Sequence, residues 1–304
     1  MLSYRLKPGD TIGIIAPAGP IEQEKLERSF SFFENMGLKI KLGEHVYDQY
    51  GYLAGKDTNR LADFHRMVAD RNVKAIIFAR GGYGTGRIID KIDMELIKKN
   101  PKIIWGYSDI TFLHTAIRQA TGLITFHGPM PASDMVKKDF DTLSSQLFRQ
   151  LFGPTNLIYS ESISRLTVYR EGEASGKIVG GNLSLLVQTL GTPYEISTKD
   201  KLLFIEDIGE EPYRVDAMMN QLRLAGKLQQ AAGIIIGDFA EADPKVQPSL
   251  RLEEVWKHYF KNYRKPVIAG FRIGHCFPHF SIPLGVEATL SSRTKTLQLS
   301  PGVR

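Results

Sequence analysis

The sequence predicts an α/β fold of two domains, the first of which contains a doubly wound, largely parallel sheet. Short β-branched runs alternate with amphipathic helical stretches along the 304 residues, which is the pattern of strand-helix-strand units. A chain of this length exceeds the usual size of one compact core. We therefore predict an N-terminal domain over residues 1–153, a connection over 154–173 and a C-terminal α/β domain over 174–304, with the break at Gly153-Pro154.

Hydrophobic periodicity and turn residues predict the elements of the first half. Gly37 and Gly122 follow apolar-periodic stretches and are expected to end helices in the left-handed conformation. Asp57 is expected to cap the helix that it precedes. The predicted strands cover residues 11–16, 38–42, 73–79, 102–107 and 123–131, and the predicted helices cover 22–36, 110–120 and 139–152, together with the helix that follows Asp57.

The second half repeats the alternation and ends in β structure. A helix is predicted to follow Gly180-Gly-Asn182 and to extend through Leu190, and two short β runs close the chain. The predicted strands cover residues 176–179, 201–206, 233–237, 266–270, 286–291 and 296–300, and the later helices cover 213–225 and 252–262. Ligands on such parallel sheets gather at the carboxyl ends of the strands.

Composition and charge restrict the class of protein. The formal charge is +6, and the basic residues are scattered among acids along the chain, so no nucleic-acid partner is expected, whereas a small acidic substrate is compatible with this charge. A single cysteine, Cys276, excludes an internal disulfide framework and fits a reducing compartment. No signal peptide and no apolar run of membrane-spanning length is evident, so a cytoplasmic location without a membrane partner is expected.

The segment Trp105-Gly-Tyr-Ser-Asp-Ile110 places Ser108 where a buried strand turns into a helix. Such a turn raises the hydroxyl to the edge of the sheet, beside helix N-terminal amides that favour negative charge. This is the geometry of an acyl-transfer nucleophile. The alternative is an ordinary N-cap serine, and the segment lacks the last glycine of the G-x-S-x-G pattern.

A serine nucleophile needs a general base and an acid that orients the base. His275 is the best candidate base, because residues 273–279 follow a strand and a turn, whereas His65 and His114 lie within helical patterns. Glu206 is a candidate acid, since it ends an apolar strand at the sheet edge, although such residues are commonly only surface. His127, predicted in a loop, is a candidate for contacting substrate.

The glycine-rich loop over residues 80–86 does not fit a dinucleotide fingerprint, because its spacing differs from G-x-G-x-x-G and it follows the third strand. Glycines let a backbone N–H approach an oxyanion closely, and the alternative is a tight turn without a ligand. Zinc is not expected at His275 and His279, because Pro278 opposes a helix and the glutamate of H-E-x-x-H is missing. Cys276 is interpreted as a buried, inert thiol.

Several segments in order resemble the LD-carboxypeptidases, serine peptidases of the muramoyltetrapeptide carboxypeptidase and microcin-immunity type. The resemblance spans almost the whole chain, and its combination of motifs is more specific than any one alone. The matching segments are Ile14-Ile-Ala-Pro-Ala-Gly19, Ala79-Arg-Gly-Gly-Tyr-Gly84, Gly106-Tyr-Ser-Asp-Ile-Thr111, Gly180-Gly-Asn-Leu183, Phe204-Ile-Glu-Asp207 and Gly274-His275.

The resemblance implies a catalytic triad of Ser108 as nucleophile, Glu206 as acid and His275 as general base. It further implies that the backbone amides of Gly82 and Asp109 bind the oxyanion. The family pairs an N-terminal flavodoxin-like domain with a smaller C-terminal α/β domain, often as a homodimer, and places its site between them. Members remove the terminal D-alanine from the murein tetrapeptide during cytoplasmic recycling of cell-wall fragments, without a metal or organic cofactor.

Four further residues are candidates for holding substrate carboxylates: Arg80, His127, Asn182 and Arg214. An arginine suits that task through its planar fork, although a surface salt bridge is its commoner role. Two other functions stay open. One is a microcin-immunity-like peptidase that cleaves a peptidyl nucleotide. Aromatic residues such as Tyr47, Tyr50 and Tyr52 would then form a platform for the nucleotide's base. The other is a non-catalytic binder of wall peptides or nucleotides.

Overall fold

A computed structural model describes residues 1–304, and the chain divides into two compact units. The first unit comprises Met1–Thr155, Ser281–Pro283 and Pro301–Arg304, and the second comprises Asn156–Phe280 and Leu284–Ser300. Two short C-terminal segments therefore belong to the first unit. None of the helices combines the length and apolar character that crossing a membrane requires.

Fourteen strands and ten α-helices make up the two units. The strands are β1 (Thr11–Ile15), β2 (Lys39–Leu42), β3 (Val73–Phe78), β4 (Ile103–Gly106), β5 (Thr125–His127), β6 (Leu157–Tyr159), β7 (Thr167–Arg170), β8 (Glu173–Asn182), β9 (Leu202–Ile208), β10 (Gly233–Ala240), β11 (Val267–Ala269), β12 (Ile282–Leu284), β13 (Glu287–Ser291) and β14 (Thr296–Leu299). The helices are α1 (Gln23–Arg28), α2 (Phe30–Glu34), α3 (Asp57–Ala69), α4 (Met94–Lys99), α5 (Thr111–Thr121), α6 (Thr142–Gln146), α7 (Leu183–Gln188), α8 (Pro212–Leu224), α9 (Lys227–Gln230) and α10 (Leu252–Phe260).

The first unit has a six-stranded sheet in the order β12-β5-β4-β3-β1-β2, and β1 to β5 pair in parallel. These five strands follow the flavodoxin-like order 2-1-3-4-5. Every residue of β4, and all of β3 except Lys74, is buried, as expected for a parallel sheet covered on both faces. The strand order reverses between β1 and β3, where the fold class places its ligands. The predicted doubly wound fold is confirmed.

The second unit has a mixed eight-stranded sheet in the order β6-β14-β13-β8-β9-β10-β11-β7. Strands β8 to β11 are parallel, and the remaining strands join in antiparallel pairing. One face of β9 and β10 packs Leu203, Ile205 and Ile234 against helical residues that include Met219 and Trp256. The predicted C-terminal α/β fold is likewise confirmed.

The structure differs from several predicted elements of the first unit. The single helix predicted over 22–36 is two helices separated at Ser29, whose hydroxyl donates to the Leu26 carbonyl 2.6 Å away and so competes with regular helix bonding. The strand predicted over 123–131 is confined to β5, since Gly128 and Pro129 end it. Gly37 and Gly122 do adopt positive φ angles, of 76° and 71°.

Two further predictions need correction. Asp57 does not cap α3: Lys56 holds the cap position without a side-chain bond, and the Asp57 carboxylate pairs with Arg60 and Arg87 instead. Residues 154–173, predicted as a connection, include β6 and β7 of the second sheet, and the units divide between residues 155 and 156. Short edge strands of three or four residues lack a periodicity long enough to detect.

Candidate active site

Ser108 lies two residues beyond the end of β4, at a strained turn. Its φ angle is 64°, in the left-handed region that costs a residue with a side chain about 1–2 kcal/mol. A 3₁₀ turn over Ser108–Ile110 leads directly into α5. Tyr107 holds the N-cap position without a side-chain bond, so the alternative of an N-cap serine is wrong. Strain of this kind persists where surrounding contacts impose it, and it clusters at functional sites.

Side chains behind the turn hold its backbone in place. The Tyr107 hydroxyl donates to Asp134 at 2.9 Å, and its ring packs edge-on against His127 with 5.3 Å between centroids. The Nε2 of His114 lies 2.8 Å from the Gly106 carbonyl. His127 is therefore not a loop residue: it ends β5, is fully buried and packs behind the serine turn.

The Asp109 side chain ties the turn to the glycine-rich loop. Its carboxylate accepts the Thr85 amide at 2.9 Å, while the Thr85 hydroxyl donates to the Asp109 carbonyl at 2.7 Å. Burial raises the pKa of the Asp109 carboxyl, and the Thr85 hydrogen bonds oppose that shift. The backbone amide of Asp109 belongs to the first turn before α5, where N–H groups lack intrahelical acceptors.

Gly81 contacts Ser108 directly, and Gly19 and Gly82 lie next to Gly81. A Cβ atom on Gly81 would lie 2.9 Å from the Ser108 Cβ and 3.0 Å from its Oγ, so any side chain there would displace the serine. The Gly19 amide, beyond β1, donates to the Gly81 carbonyl at 3.0 Å. Gly82 has a φ of 113° and would meet the Gly19 Cα at 3.1 Å if it carried a Cβ. The loops after β1 and β3 thus meet at the switch point of the sheet.

A cavity of about 680 Å³ opens beside this glycine loop in the first unit. Four basic residues and one acid line it: Lys25, Arg28, Arg80, Lys137 and Glu22. The exposed Arg80 side chain donates to the Pro20 carbonyl at 3.1 Å, which leaves most of its guanidinium donors unused. The cavity is therefore a concave, positively charged space suited to carboxylates.

In the second unit, Glu206 and His275 form a hydrogen-bonded pair in which the glutamate is fully buried and the histidine is partly buried. Glu206 lies in β9 with no exposed surface, and its Oε2 is 2.8 Å from Nδ1 of His275. Burial raises the pKa of the Glu206 carboxyl, and the adjacent imidazole opposes that shift. A carboxylate facing Nδ1 places the ring proton on that nitrogen, which leaves Nε2 with a lone pair. The pair thus has the arrangement of a general base held by an acid.

Small residues let the backbone close over Glu206. A Cβ on Gly274, whose φ is 130°, would lie 2.7 Å from Oε2 of Glu206, and a Cβ on Gly237 would lie 2.5 Å from the Ile273 carbonyl. The Asp238 amide donates to that same carbonyl at 3.0 Å. Gly237 and Asp238 are not among the residues predicted from the sequence, although a glycine directly after the isoleucines of β10 is a signal of close approach.

One acid, Asp238, and one histidine, His279, interact electrostatically with His275. Burial raises the pKa of the Asp238 carboxyl, while Arg272 and His275 act in the opposite direction. Burial, and secondarily the charge of His275, lowers the pKa of the His279 imidazole to about 3. His279 is therefore neutral at ordinary pH, so the histidine neighbouring His275 does not compete as a second cation.

The remaining sequence-predicted residues of the second unit have local partners. The Asn182 amide donates to Asp207 at 2.8 Å, and its oxygen accepts the Leu185 amide as the cap of α7. Asn182 thus fixes Asp207 beside Glu206. Arg214 is exposed on α8, where it lies 3.8 Å from Glu210 and contacts Tyr213.

Exposed tyrosines border the glycine loop of the first unit. Tyr50 and Tyr52 are exposed, whereas the Tyr47 hydroxyl is buried. Tyr52 contacts Tyr83, also exposed, edge to face at 5.7 Å between ring centroids, and Tyr83 was missed by the sequence interpretation. No group of three or more His, Cys, Asp or Glu side chains has an arrangement that could hold a metal ion.

Models of two protein families match the chain. The LD-carboxypeptidase N-terminal domain matches residues 12–128, and the LD-carboxypeptidase C-terminal domain matches residues 175–290. A Bacillus subtilis protein named "Probable murein peptide carboxypeptidase" is 52% identical over 306 residues, covering 99% of this chain and 96% of that protein. The shared sequence therefore extends over both units.

Solved structures of similar proteins have the same fold over their full length. The microcin C7 self-immunity protein MccF in complex with aspartyl sulfamoyl adenosine superposes with a TM-score of 0.91 at 25% identity, covering 100% of both chains. A muramoyltetrapeptide carboxypeptidase from Oxalobacter formigenes superposes with a TM-score of 0.86 at 27% identity, covering 96% of this chain and 98% of the other. The chain belongs to the LD-carboxypeptidase family.

Proposed function

We propose that this protein is a serine LD-carboxypeptidase that releases the terminal D-alanine of the murein tetrapeptide. The observation that carries the proposal is the contact of 2.8 Å between the buried Glu206 carboxylate and His275, which orients the imidazole as a base. The family membership and the relative named as a murein peptide carboxypeptidase support the same substrate.

In the proposed reaction Ser108 is the nucleophile. Nε2 of His275 takes the hydroxyl proton as Oγ attacks the carbonyl carbon of the bond between the diamino acid and D-alanine. The amides of Gly82 and Asp109 stabilise the tetrahedral oxyanion. Gly81, which has no side chain, leaves space for it next to Ser108. The C–N bond then breaks, and His275 returns the proton to the leaving amine, which yields D-alanine and an acyl-serine.

Water completes the proposed cycle. His275 removes a proton from the water that attacks the acyl-serine, and it then protonates Oγ as the tripeptide leaves. Glu206 keeps the imidazole in the required tautomer throughout. Arg80 and the cations of the adjoining cavity bind the substrate carboxylates, a role that the unused guanidinium donors of Arg80 support.

The test is to incubate the protein with L-Ala-γ-D-Glu-meso-diaminopimelate-D-Ala and to measure free D-alanine by mass spectrometry. Wild type is expected to release D-alanine, and Ser108→Ala is expected to lower kcat by about 10⁴-fold or more. Ser31→Ala, an exposed serine of α2, is the matched control and should keep full activity. Tight binding of the peptide without release by wild type would indicate a non-catalytic binder instead.

A second candidate function is cleavage of a peptidyl nucleotide. The exposed Tyr52–Tyr83 pair beside the glycine loop favours it, because aromatic faces bind planar bases. MccF, one of the structural relatives, was solved with aspartyl sulfamoyl adenosine. Turnover of a peptidyl adenylate, absent in Tyr52→Ala and without release of D-alanine from the murein peptide, would select this function.

The proposed enzyme works in the cytoplasm as a homodimer. A single cysteine, which makes an internal disulfide impossible, is compatible with a reducing compartment. Light scattering on purified protein should give twice the 34.1 kDa of one chain, and a monomer mass would contradict the dimer. Cell fractionation tests the location.

A further inference from the structure

A second basic cavity lies in the first unit, at the amino ends of the parallel strands, whereas Ser108 follows the carboxyl end of β4. It has a volume of about 740 Å³, within the range of small-molecule sites. Asp10, Val73 and Lys102, at the starts of β1, β3 and β4, line it. Because these strands are parallel, their starts share one edge, whereas the glycine loop and Ser108 follow their far ends. The cavity is therefore separate from the proposed catalytic machinery.

The side chains of the lining carry nearly unopposed positive charge. Asp10 is the one acidic side chain in it, against seven basic ones: Arg5, Lys7, Arg71, Lys74, Lys99, Lys102 and Arg304. This excess of six positive charges equals the formal excess of the whole chain, so the rest of the chain is formally neutral. A surface of merely solvated lysines would distribute its excess more evenly.

None of these seven cations forms an ion pair with a carboxylate, although ion pairs occur elsewhere in both units. The nearby Asp70 carboxylate is held by Lys41 at 2.6 Å. Asp10 accepts the backbone amide of Lys7 at 2.8 Å. Asp10 and Asp70 therefore already have other hydrogen-bond or ion-pair partners. A bound anion would reduce the electrostatic repulsion among the seven cations.

Lys102 provides a buried, positioned donor at this site. The residue is 6% exposed, and its ammonium donates to the carbonyls of Asp70 and Val73 at 2.7 and 2.5 Å. An ammonium has three N–H groups, so one remains for a ligand. Burial, followed by the charge of Lys74, lowers the pKa of Lys102 to about 8. An anion in the cavity would favour the charged form.

We propose that this cavity binds a small phosphate-bearing anion of two or more negative charges, such as a diphosphate group. Arginine forks and lysine ammonium groups together match phosphate oxygens, and the concave shape suits a compact ligand rather than an extended polymer. The phosphate can belong to a free metabolite or to a lipid headgroup, since the chemistry of recognition is the same. This binding is independent of the proposed peptidase reaction.

Isothermal titration calorimetry with inorganic pyrophosphate, at constant ionic strength, tests the proposal. One saturable site per chain is expected for the wild type and equally for Ser108→Ala. The double variant Arg71→Gln/Lys74→Gln changes two exposed residues of the cavity and should bind about tenfold more weakly or worse. The double variant Lys261→Gln/Arg264→Gln removes the same charge from exposed positions of the second unit and should bind as wild type does.

Three results would overturn the proposal: no saturable binding of pyrophosphate or of anionic vesicles, equal weakening in both double variants, or loss of binding in Ser108→Ala. Equal weakening would mean that net charge, rather than this cavity, attracts the anion. Flotation with vesicles of phosphatidylcholine alone and of phosphatidylcholine mixed with cardiolipin, whose headgroup carries two phosphates, separates the two phosphate sources. Cavity-dependent binding to anionic vesicles alone would assign the phosphate to a lipid headgroup, whereas binding of free pyrophosphate alone would assign it to a soluble metabolite.

Discussion

The two units position their proposed catalytic residues by different physical means. In the first unit the backbone does so: Ser108 has a left-handed φ of 64°, and Gly81 leaves the space that its side chain occupies. In the second unit a side-chain contact does so, since the buried Glu206 carboxylate holds His275 at 2.8 Å. The first arrangement is sensitive to volume and backbone conformation. The second is sensitive to charge, because burial strengthens electrostatic interactions.

The largest expected effect is a loss of activity on removing the charge of Glu206 in the second unit. Glu206→Gln keeps the size of the side chain but removes the carboxylate that fixes the His275 tautomer, so kcat for D-alanine release should fall by about 10⁴-fold. Glu253→Gln, at an exposed position of α10, is the control and should be near wild type. A fall of less than tenfold in Glu206→Gln would show that the pair is structural.

Low pH should destabilise each unit, because a buried histidine in each becomes protonated on unfolding. Burial lowers the pKa of His114 to about 4 in the first unit and that of His279 to about 3 in the second, against an ordinary value of 6.5. Both histidines are neutral when folded, so their contribution to stability is complete above pH 6.5 and decreases as the pH falls towards the folded values. For His114 the loss at pH 4 is about 3 kcal/mol of unfolding free energy.

His114→Gln tests the part of this effect that belongs to the first unit. The glutamine amide replaces the Nε2 donor to the Gly106 carbonyl without titrating, so the stability lost between pH 6.5 and 4 should shrink by about 3 kcal/mol. Urea denaturation at several pH values measures it. An unchanged pH dependence would mean that His114 is already protonated in the native state.

Adding side-chain volume at Gly81 tests whether the backbone of the first unit positions Ser108. Gly81→Ala adds a Cβ 2.9 Å from that of Ser108 and should lower kcat by about 10²-fold by displacing the hydroxyl. Gly153→Ala, in the same unit, meets no atom within 4 Å and should keep full activity. If Gly81→Ala were as active as Gly153→Ala, the glycine loop would not define the serine position.

The smallest expected effect is a gain in stability. Ser108→Gly removes the side chain that makes a φ of 64° costly, so the protein should be stabilised by about 1 kcal/mol while losing activity. Ser108→Ala also loses activity but keeps the strain, which makes it the matched comparison in thermal unfolding. Equal stability of the two variants would contradict the strain argument.

Local patterns in the sequence were sufficient to predict much of the molecule. The alternation of strands and helices, the left-handed Gly37 and Gly122 and the turn at Ser108 depend on residues close along the chain, and the structure contains all of them. The family resemblance was also readable from ordered motifs, and it is confirmed. Local patterns did not show that Asn182, which is predicted to hold substrate, also caps α7 and donates to Asp207.

Only the tertiary structure decided which distant residues share an environment. Gly237 and Gly274 both pack against Glu206, although the three residues are far apart in sequence. Local periodicity therefore cannot predict these contacts. The basic residues look scattered along the chain, yet seven of them line one cavity, because the strand starts and both termini meet there. Charge clustering and close approach depend on how the chain packs, whereas the helix, strand and turn preferences that the sequence determines are set within a few residues.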